Sequence, residues 1–217
     1  MADTIVHLLR HGEVDNPTGL LYGRLPGFRL SERGRAMADK VAEHLAGADG
    51  ARRDLIHLVA SPLQRAQETA APVAAAFGLP ITTDERVIEA ENHFEGLTVG
   101  RGAGSFLRPG NLRRMWNPVR PSWGEPYQAQ IARMLAAIAD ARTVATGHEA
   151  LIVSHQLPIW ITRSALEGRR LAHDPRRREC TLASLTSLHY RGDRLERIVY
   201  TEPAADLLPG AATLPGA

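Results

Sequence analysis

Cysteine occurs once in this sequence, at Cys180, and lysine once, at Lys40. A single thiol forms no internal disulfide, so the fold must hold without covalent staples, which suits a reducing cytoplasm. Aromatic residues make up only 5% of the chain, too few beside its basic stretches to stack nucleic-acid bases. No run approaches the roughly 20 apolar residues of a membrane span. The N-terminus enters an apolar segment without the charged and hydrophobic regions of a secretory signal. Acidic and basic residues nearly balance, leaving a net charge of +2 and a pI near 9.0, a mild bias short of a dedicated nucleic-acid binder. These absences leave a cytoplasmic protein whose expected partner is a small molecule, with neither nucleic acid nor membrane.

What is present is an ordinary globular balance. Hydrophobic residues are 44% and charged residues 23% of 217, enough to fill the core of one large domain. Neither repeats nor a linker divide the chain, so one domain is expected over 1–202. The Ala-, Pro-, Gly- and Leu-containing stretch 203–217 reads as a flexible tail. All but one of the 26 basic residues are arginine; the planar guanidinium suits phosphate and carboxylate ligands.

Short apolar runs alternate with helical patterns, the mark of an α/β chain. Ile5, Val6, Leu8 and Leu9 predict a buried parallel strand that stops at Arg10-His11-Gly12-Glu13. Gly12 lets the backbone turn sharply and approach a ligand. A lone His after a strand is more often solvated or satisfied in the core than catalytic, so His11 alone decides little. A long turn-rich connection from Glu13 to Arg29 comes next; its Asn16 either donates an amide to an anion or forms a plain Asn-Pro turn. Ser31 predicts the cap of a helix to about Leu45.

Leu55 to Ala60 is a second strand, running into Ser61-Pro-Leu-Gln-Arg65. Ser61 reads as an N-cap and Pro62 as the first helical residue, with Arg65 one turn in, where helix N-termini attract anions. Arg65 either faces such an anion or pairs with a surface acid such as Glu68. The helix is expected to continue to Phe77, kinked at Pro72.

Residues 84–96 carry Glu85, Glu89, Glu91 and Glu95, of which one at most is expected to do chemistry. Residues 98–125 read as an irregular cap, with Arg113-Arg114, Trp116 and Trp123; its glycines lack the flanking strand and helix of a dinucleotide site. A long helix is predicted from Tyr127 to about Ala145. The strand through Ala-Leu-Ile-Val ends directly at His155, and a helix is expected from Pro158 to Leu166. His148-Glu149 lacks the second histidine of a zinc site, since residue 152 is Ile, and no metal is expected. The basic loop 173–178 reads as a solvated turn, and 181–190 with 194–201 as an edge hairpin.

Arg10 with His11, Arg65, and His155 all fall at strand ends. Parallel strands gather such residues at one edge of a sheet, where α/β proteins bind ligands. Two arginines and two histidines around a glycine turn make a pocket for a tetrahedral dianion, a coincidence that packing alone does not explain.

Leu9-Arg10-His11-Gly12-Glu13, Ser61-Pro-Leu-Gln-Arg65-Ala-Gln-Glu-Thr69 and Val153-Ser154-His155 together resemble the motifs of the histidine phosphatase superfamily, which includes the cofactor-dependent phosphoglycerate mutases. The likeness spans roughly residues 5–200. It implies a three-layer α/β sandwich with a mainly parallel sheet and an antiparallel edge strand. It also implies that His11 forms a phosphohistidine while Arg10, Gly12, Asn16, Arg65 and a protonated His155 hold the phosphoryl group without Mg²⁺ or another cofactor. Glu89 is the implied proton donor, with Glu91 and then Glu13 behind it. Gln156 departs from the family, standing where glycine is usual.

The leading expectation is a phosphomonoesterase for a small phosphorylated metabolite. The alternatives are a phosphoglycerate mutase, with Arg113-Arg114 on a carboxylate, and a non-catalytic phospholigand-binding module. Trp116 and Trp123 are candidates for a homodimer interface or a pocket lid.

Overall fold

A computed structural model of the chain describes residues 3–48, 50–98 and 124–211. The first strand, β1 (Asp3–Arg10), lies inside the sheet, so its apolar run is buried on both faces. Helix α1 (Glu32–Leu45) starts where Ser31 Oγ accepts the Gly34 N–H at 2.9 Å, a cap worth about 1 kcal/mol. Strand β2 (Leu55–Ala60) leads to α2 (Gln64–Phe77), which ends at Gly78 in the left-handed conformation. A two-residue strand β3 (Thr82–Thr83) precedes the loop that carries Glu89. Then come α3 (Tyr127–Val144), β4 (Glu149–Ser154), α4 (Gln156–Leu166) and the hairpin β5 (Leu185–Arg191) and β6 (Arg194–Thr201).

The six strands form one sheet in the order β3-β2-β4-β1-β5-β6. Strands β1 to β4 are mutually parallel, β5 runs antiparallel to β1, and β6 antiparallel to β5. Alternation along the strands sends side chains to two helical layers. Leu9, Leu58, Leu151 and Val153 meet Met37, Val41 and Leu45 of α1 and Ala66, Ala70 and Val73 of α2. Val6, Leu8, Val59 and Ile152 meet Met134, Ala137 and Ile138 of α3 and Ile159 of α4. This is the expected mainly parallel three-layer sandwich.

Strand register fixes where the polar strand ends emerge. Arg10 pairs with Ser154 and Ala60 with Val153, and the N–H groups of His11 and Ser61 donate to Ser154 O and Val153 O. The chain therefore leaves β1, β2 and β4 at one level, and His11, Ser61 and His155 emerge side by side.

Three local expectations are corrected. Ser61 does not cap α2, since Leu63 holds that position and the Ser61 hydroxyl turns to His155. Helix α2 does extend to Phe77 as expected, with Pro72 inside it. Residues 181–184 form a turn ahead of β5 rather than its first half, with buried Ala183 at φ 54° and its N–H on His11 O. The tail is not loose from 203: Ala204 is buried, Leu207, Leu208 and Ala211 pack on the α1–α2 layer, and Asp206 pairs with Lys40.

Candidate active site

Gly12 turns the chain off β1 because two backbones meet there. A Cβ on Gly12 would lie 2.4 Å from Gly34 O, and one on Gly34 would lie 2.0 Å from Glu13 O. Only a pair of glycines lets the β1 turn rest directly on the start of α1. Two further bonds fasten it: Ser31 Oγ donates to Glu13 Oε2 at 2.5 Å, and Gly12 N–H donates to Thr69 Oγ1 of α2 at 3.1 Å. Glu13, the third candidate for proton donor, thus ties the turn to α1 and also faces Arg33.

His11 is fully buried. Its Nδ1 lies 2.8 Å from Gly12 O, an acceptor only, so Nδ1 carries the proton and Nε2 presents its lone pair. Arg65 Nε donates to that lone pair at 3.2 Å. Burial first, then the Arg65 and Arg10 charges, hold the His11 pKa well below the ordinary imidazole value. The result is a neutral, oriented ring facing a cation. His7, buried four residues earlier, shows the contrast: both its nitrogens meet side chains, Ser187 and Glu149.

Arg65 is 1% exposed, so pairing with Glu68 is excluded; Glu68 instead accepts from Leu30 N and Gln64. Its Nη2 donates to Gly23 O at 2.7 Å, and its guanidinium lies 4.8 Å from the Tyr22 ring centre. Arg10 Nη1 is fixed by Cys180 O at 2.8 Å. His155 packs edge-on to His11 with ring centres 5.1 Å apart. Its Nε2 is 2.7 Å from Ser61 Oγ, while Nδ1 is buried with no hydrogen-bond partner among the described residues. Burial, then Arg65, push its pKa well below the ordinary value too. Burial above all, with Arg65, Arg133 and Arg10 acting in the same direction, therefore favours neutral His155 over the protonated form.

Glu89 is 5% exposed, whereas Glu91 is exposed to solvent. Burial raises the Glu89 pKa against the Ala90 N–H, which donates to Oε1 at 2.8 Å, and against Arg65, Arg178 and Arg10. Its loop is gripped from outside. Arg133 Nη1 donates to Arg86 O and Ile88 O, each at 2.7 Å, and Arg24 Nε to Glu89 O at 2.7 Å. Glu125 holds both arginines, accepting from Arg133 Nε at 2.7 Å and Arg24 Nη2 at 3.0 Å.

His11, Arg10, Gly12, Arg65, His155 and Glu89 thus come together. Asn16 is engaged by its own loop: Nδ2 donates to Leu20 O at 2.9 Å, and Oδ1 accepts from Leu20 N–H. Arg113, Arg114, Trp116 and Trp123 lie outside the described residues. Sequence reading missed Ser61 as the His155 partner, Thr69, Tyr22, the Glu125 clamp and Arg178. Thr69 was the most accessible of these, one helical turn after Arg65. Among the described residues no cluster of metal-ligand side chains occurs, and no helix is long and apolar enough to cross a membrane.

A sandwich carrying two neutral histidines, buried arginines and a buried carboxyl at the strand ends has the parts for phosphoryl transfer. The chain matches the model of the histidine phosphatase superfamily (branch 1) over residues 6–202 and belongs to that family. It is similar to an uncharacterized protein of Mycobacterium tuberculosis, 56% identical over 203 residues, which cover 94% of this chain and 98% of that one. Phosphoserine phosphatase 1 of Hydrogenobacter thermophilus is 29% identical over 167 residues, covering 74% and 75% of the two chains. Among solved structures, a mycobacterial glucosyl-3-phosphoglycerate phosphatase superposes with a TM-score of 0.68 at 25% identity, covering 92% of this chain and 96% of its own.

Proposed function

We propose that the protein is a phosphomonoesterase that hydrolyses a small phosphorylated metabolite through a phosphohistidine on His11, without a metal. The observation that carries this reading is the His11 Nδ1–H on Gly12 O, which leaves Nε2 unprotonated beside Arg65. A neutral imidazole in that orientation is a nucleophile rather than an electrostatic ligand. Membership of a family of phosphatases and mutases, with named phosphatases among the relatives, supports it.

In the proposed first step Nε2 attacks phosphorus in line and the bond to the leaving oxygen breaks. Arg65 transfers its Nε–H from the ring to an equatorial oxygen, and Arg10 binds a second. With the Ser61 hydroxyl donating to Nε2 of His155, its Nδ1–H meets a third, and the dianion raises the pKa of that ring. Glu89, whose pKa burial raises, gives its proton to the leaving alkoxide. In the second step the Glu89 carboxylate takes a proton from water. The water oxygen attacks phosphorus, the P–N bond breaks, and orthophosphate leaves with Glu89 protonated again. Catalysis is mostly positioning and electrostatics, as phosphoryl transfer allows.

The test is single turnover with a phosphomonoester in the presence of a chelator, quenched in alkali so that a phosphohistidine survives. Wild type should release phosphate and yield an acid-labile phosphoprotein mapped to His11, and His11→Ala should give neither. Full turnover by His11→Ala would refute the reading.

A further inference from the structure

The loop read from sequence as a solvated basic turn delivers one of its arginines inward. Arg178 is half-buried, while Arg176 pairs with Asp174 at the surface. Arg178 Nε donates to His173 Nε2 at 2.8 Å, and Nη1 donates to Gln156 Oε1 at 3.2 Å. His173 Nδ1 bonds Leu171 O, so this ring is neutral and accepts at Nε2. Gln156 in turn donates from Nε2 to Cys180 O at 3.3 Å, the same carbonyl that fixes Arg10. A continuous hydrogen-bonded path therefore runs from Arg10 through the Cys180 backbone carbonyl and the Gln156 side chain to Arg178. Its central link is Gln156, the residue that departs from the family's glycine.

Every one of these partners is neutral. No carboxylate among the described residues lies within ion-pair distance of Arg178, and residues 99–123 contain neither Asp nor Glu. Arg65 is in the same condition, and desolvation lowers the pKa of both. A cation held rigidly, partly desolvated and without an anion is built to meet one from outside. Its side of the pocket is also defined. The Arg178 charge draws the Glu89 pKa down. The bonded path through Gln156 and Cys180 O ties Arg178 to Arg10, and its effect on the Glu89 carboxyl assigns it to the side of the proposed proton donor, where the leaving alcohol would sit.

We infer that Arg178, braced by Gln156 and His173, is a specificity-determining residue that binds a carboxylate on the leaving-group portion of the substrate. This rests on the phosphomonoesterase reading for the orientation of the substrate, and it narrows the substrate class to phosphoesters of hydroxy acids. The neutral braces matter, because an acidic partner would compete with the substrate for the guanidinium.

Two non-hydrolysable ligands test it without requiring turnover: 3-phosphonopropionate and n-propylphosphonate, which differ by the terminal carboxylate. Calorimetric titration of the full chain should show wild type binding the carboxylate ligand about 10- to 100-fold more tightly, the range of a charge-assisted hydrogen bond. In Arg178→Met that ratio should fall to near one, and in Gln156→Leu it should shrink with Arg178 still present. Each ratio is taken within one protein, so general changes in phosphate affinity or folding cancel. Equal binding of the two ligands by wild type, or an undiminished ratio in Arg178→Met, would overturn the inference. Loss of phosphate release by wild type with the ratio intact would instead refute the proposed activity and leave Arg178 as a carboxylate site.

Discussion

Replacing Glu89 with Gln should produce a protein that is more stable and far less active. The substitution keeps shape and the acceptor for Ala90 N–H, so the grip of Arg24 and Arg133 on the loop backbone is unaffected. What disappears is the transferable proton. For an alkyl phosphate, whose alkoxide cannot leave unprotonated, that removes about 10²- to 10⁴-fold in kcat, or about 3–5 kcal/mol of transition-state stabilisation. For p-nitrophenyl phosphate, whose phenolate leaves as the anion, formation of the phosphoenzyme should fall much less. The stability effect has the opposite sign. Burial raises the folded-state pKa of Glu89, so the folded protein binds more protons than the unfolded chain, and stability declines as pH rises from the unfolded pKa through the folded one. Gln carries no such penalty, so the gain in Tm should appear at neutral pH and vanish at pH below the ordinary carboxylate range. Rapid-quench kinetics on the two esters and melting curves across pH measure both halves. An equal rate loss on both esters, or a lower Tm at neutral pH, would refute the assignment of Glu89 as a buried acid.

The same geometry sets three other outcomes. Arg65→Gln removes the largest charge that depresses the His11 pKa; the acid limb of the kcat/KM profile should move to higher pH, beyond any fall in rate, and an unmoved limb would show that Arg65 does not tune the nucleophile. Gly34→Ala puts a Cβ 2.0 Å from Glu13 O where 3.4 Å is ordinary contact, so the β1 turn must part from α1; a loss of roughly 1–3 kcal/mol, with a Tm fall of about 2–4 °C for each, should accompany reduced phosphoenzyme formation. Glu125→Gln loosens Arg24 and Arg133 without touching the pocket floor; kcat for alkyl phosphates should drop roughly tenfold and the alkaline limb should shift, whereas a change in melting temperature alone would make Glu125 merely structural.

The parts of this molecule that sequence reading reached are those set by short-range pattern. The β1, β2 and β4 runs are continuous and apolar because parallel strands are covered on both faces, and each stops at a polar residue where the chain leaves the sheet. Their register then carries Arg10, His11 and His155 to one edge with no further information needed. Arg65 required one more step, since its reach into the pocket depends on α2 starting at Gln64 rather than at the Ser61 end of the motif. What stayed hidden depends on contacts distant in sequence. Arg178 meets the site only because the chain from α4 folds back to place Cys180 O between Arg10 and Gln156. Glu125 holds the arginines that grip the Glu89 loop, far from that loop in the chain, and nothing in the local composition of either segment signals the pairing. The alternating residues 181–184 satisfied a strand pattern, yet they turn because Ala183 N–H and Ser184 O are bonded to His11 O and Arg10 N–H.

The electrostatics of the pocket turn on one competition. Arg65 and Arg10 pull in the direction that keeps His11 neutral, and burial pulls the same way, so the two effects add. At Glu89 the same arginines favour the carboxylate, while burial favours the acid, so the two effects oppose, and burial prevails. The cations cannot therefore be increased without limit. Each added charge secures the nucleophile and the phosphoryl oxygens but draws the proton donor toward ionisation. Arg178 enters that conflict too, since its charge draws Glu89 toward the carboxylate. A substrate carboxylate bound there would cancel its charge and return Glu89 toward the protonated state. Recognition of the leaving group and readiness of the acid would then be one event: esters lacking the carboxylate would meet a Glu89 of lower pKa, and the alkaline limb of their kcat profile, which reports the enzyme–substrate complex, should lie at lower pH than that of acid-bearing esters.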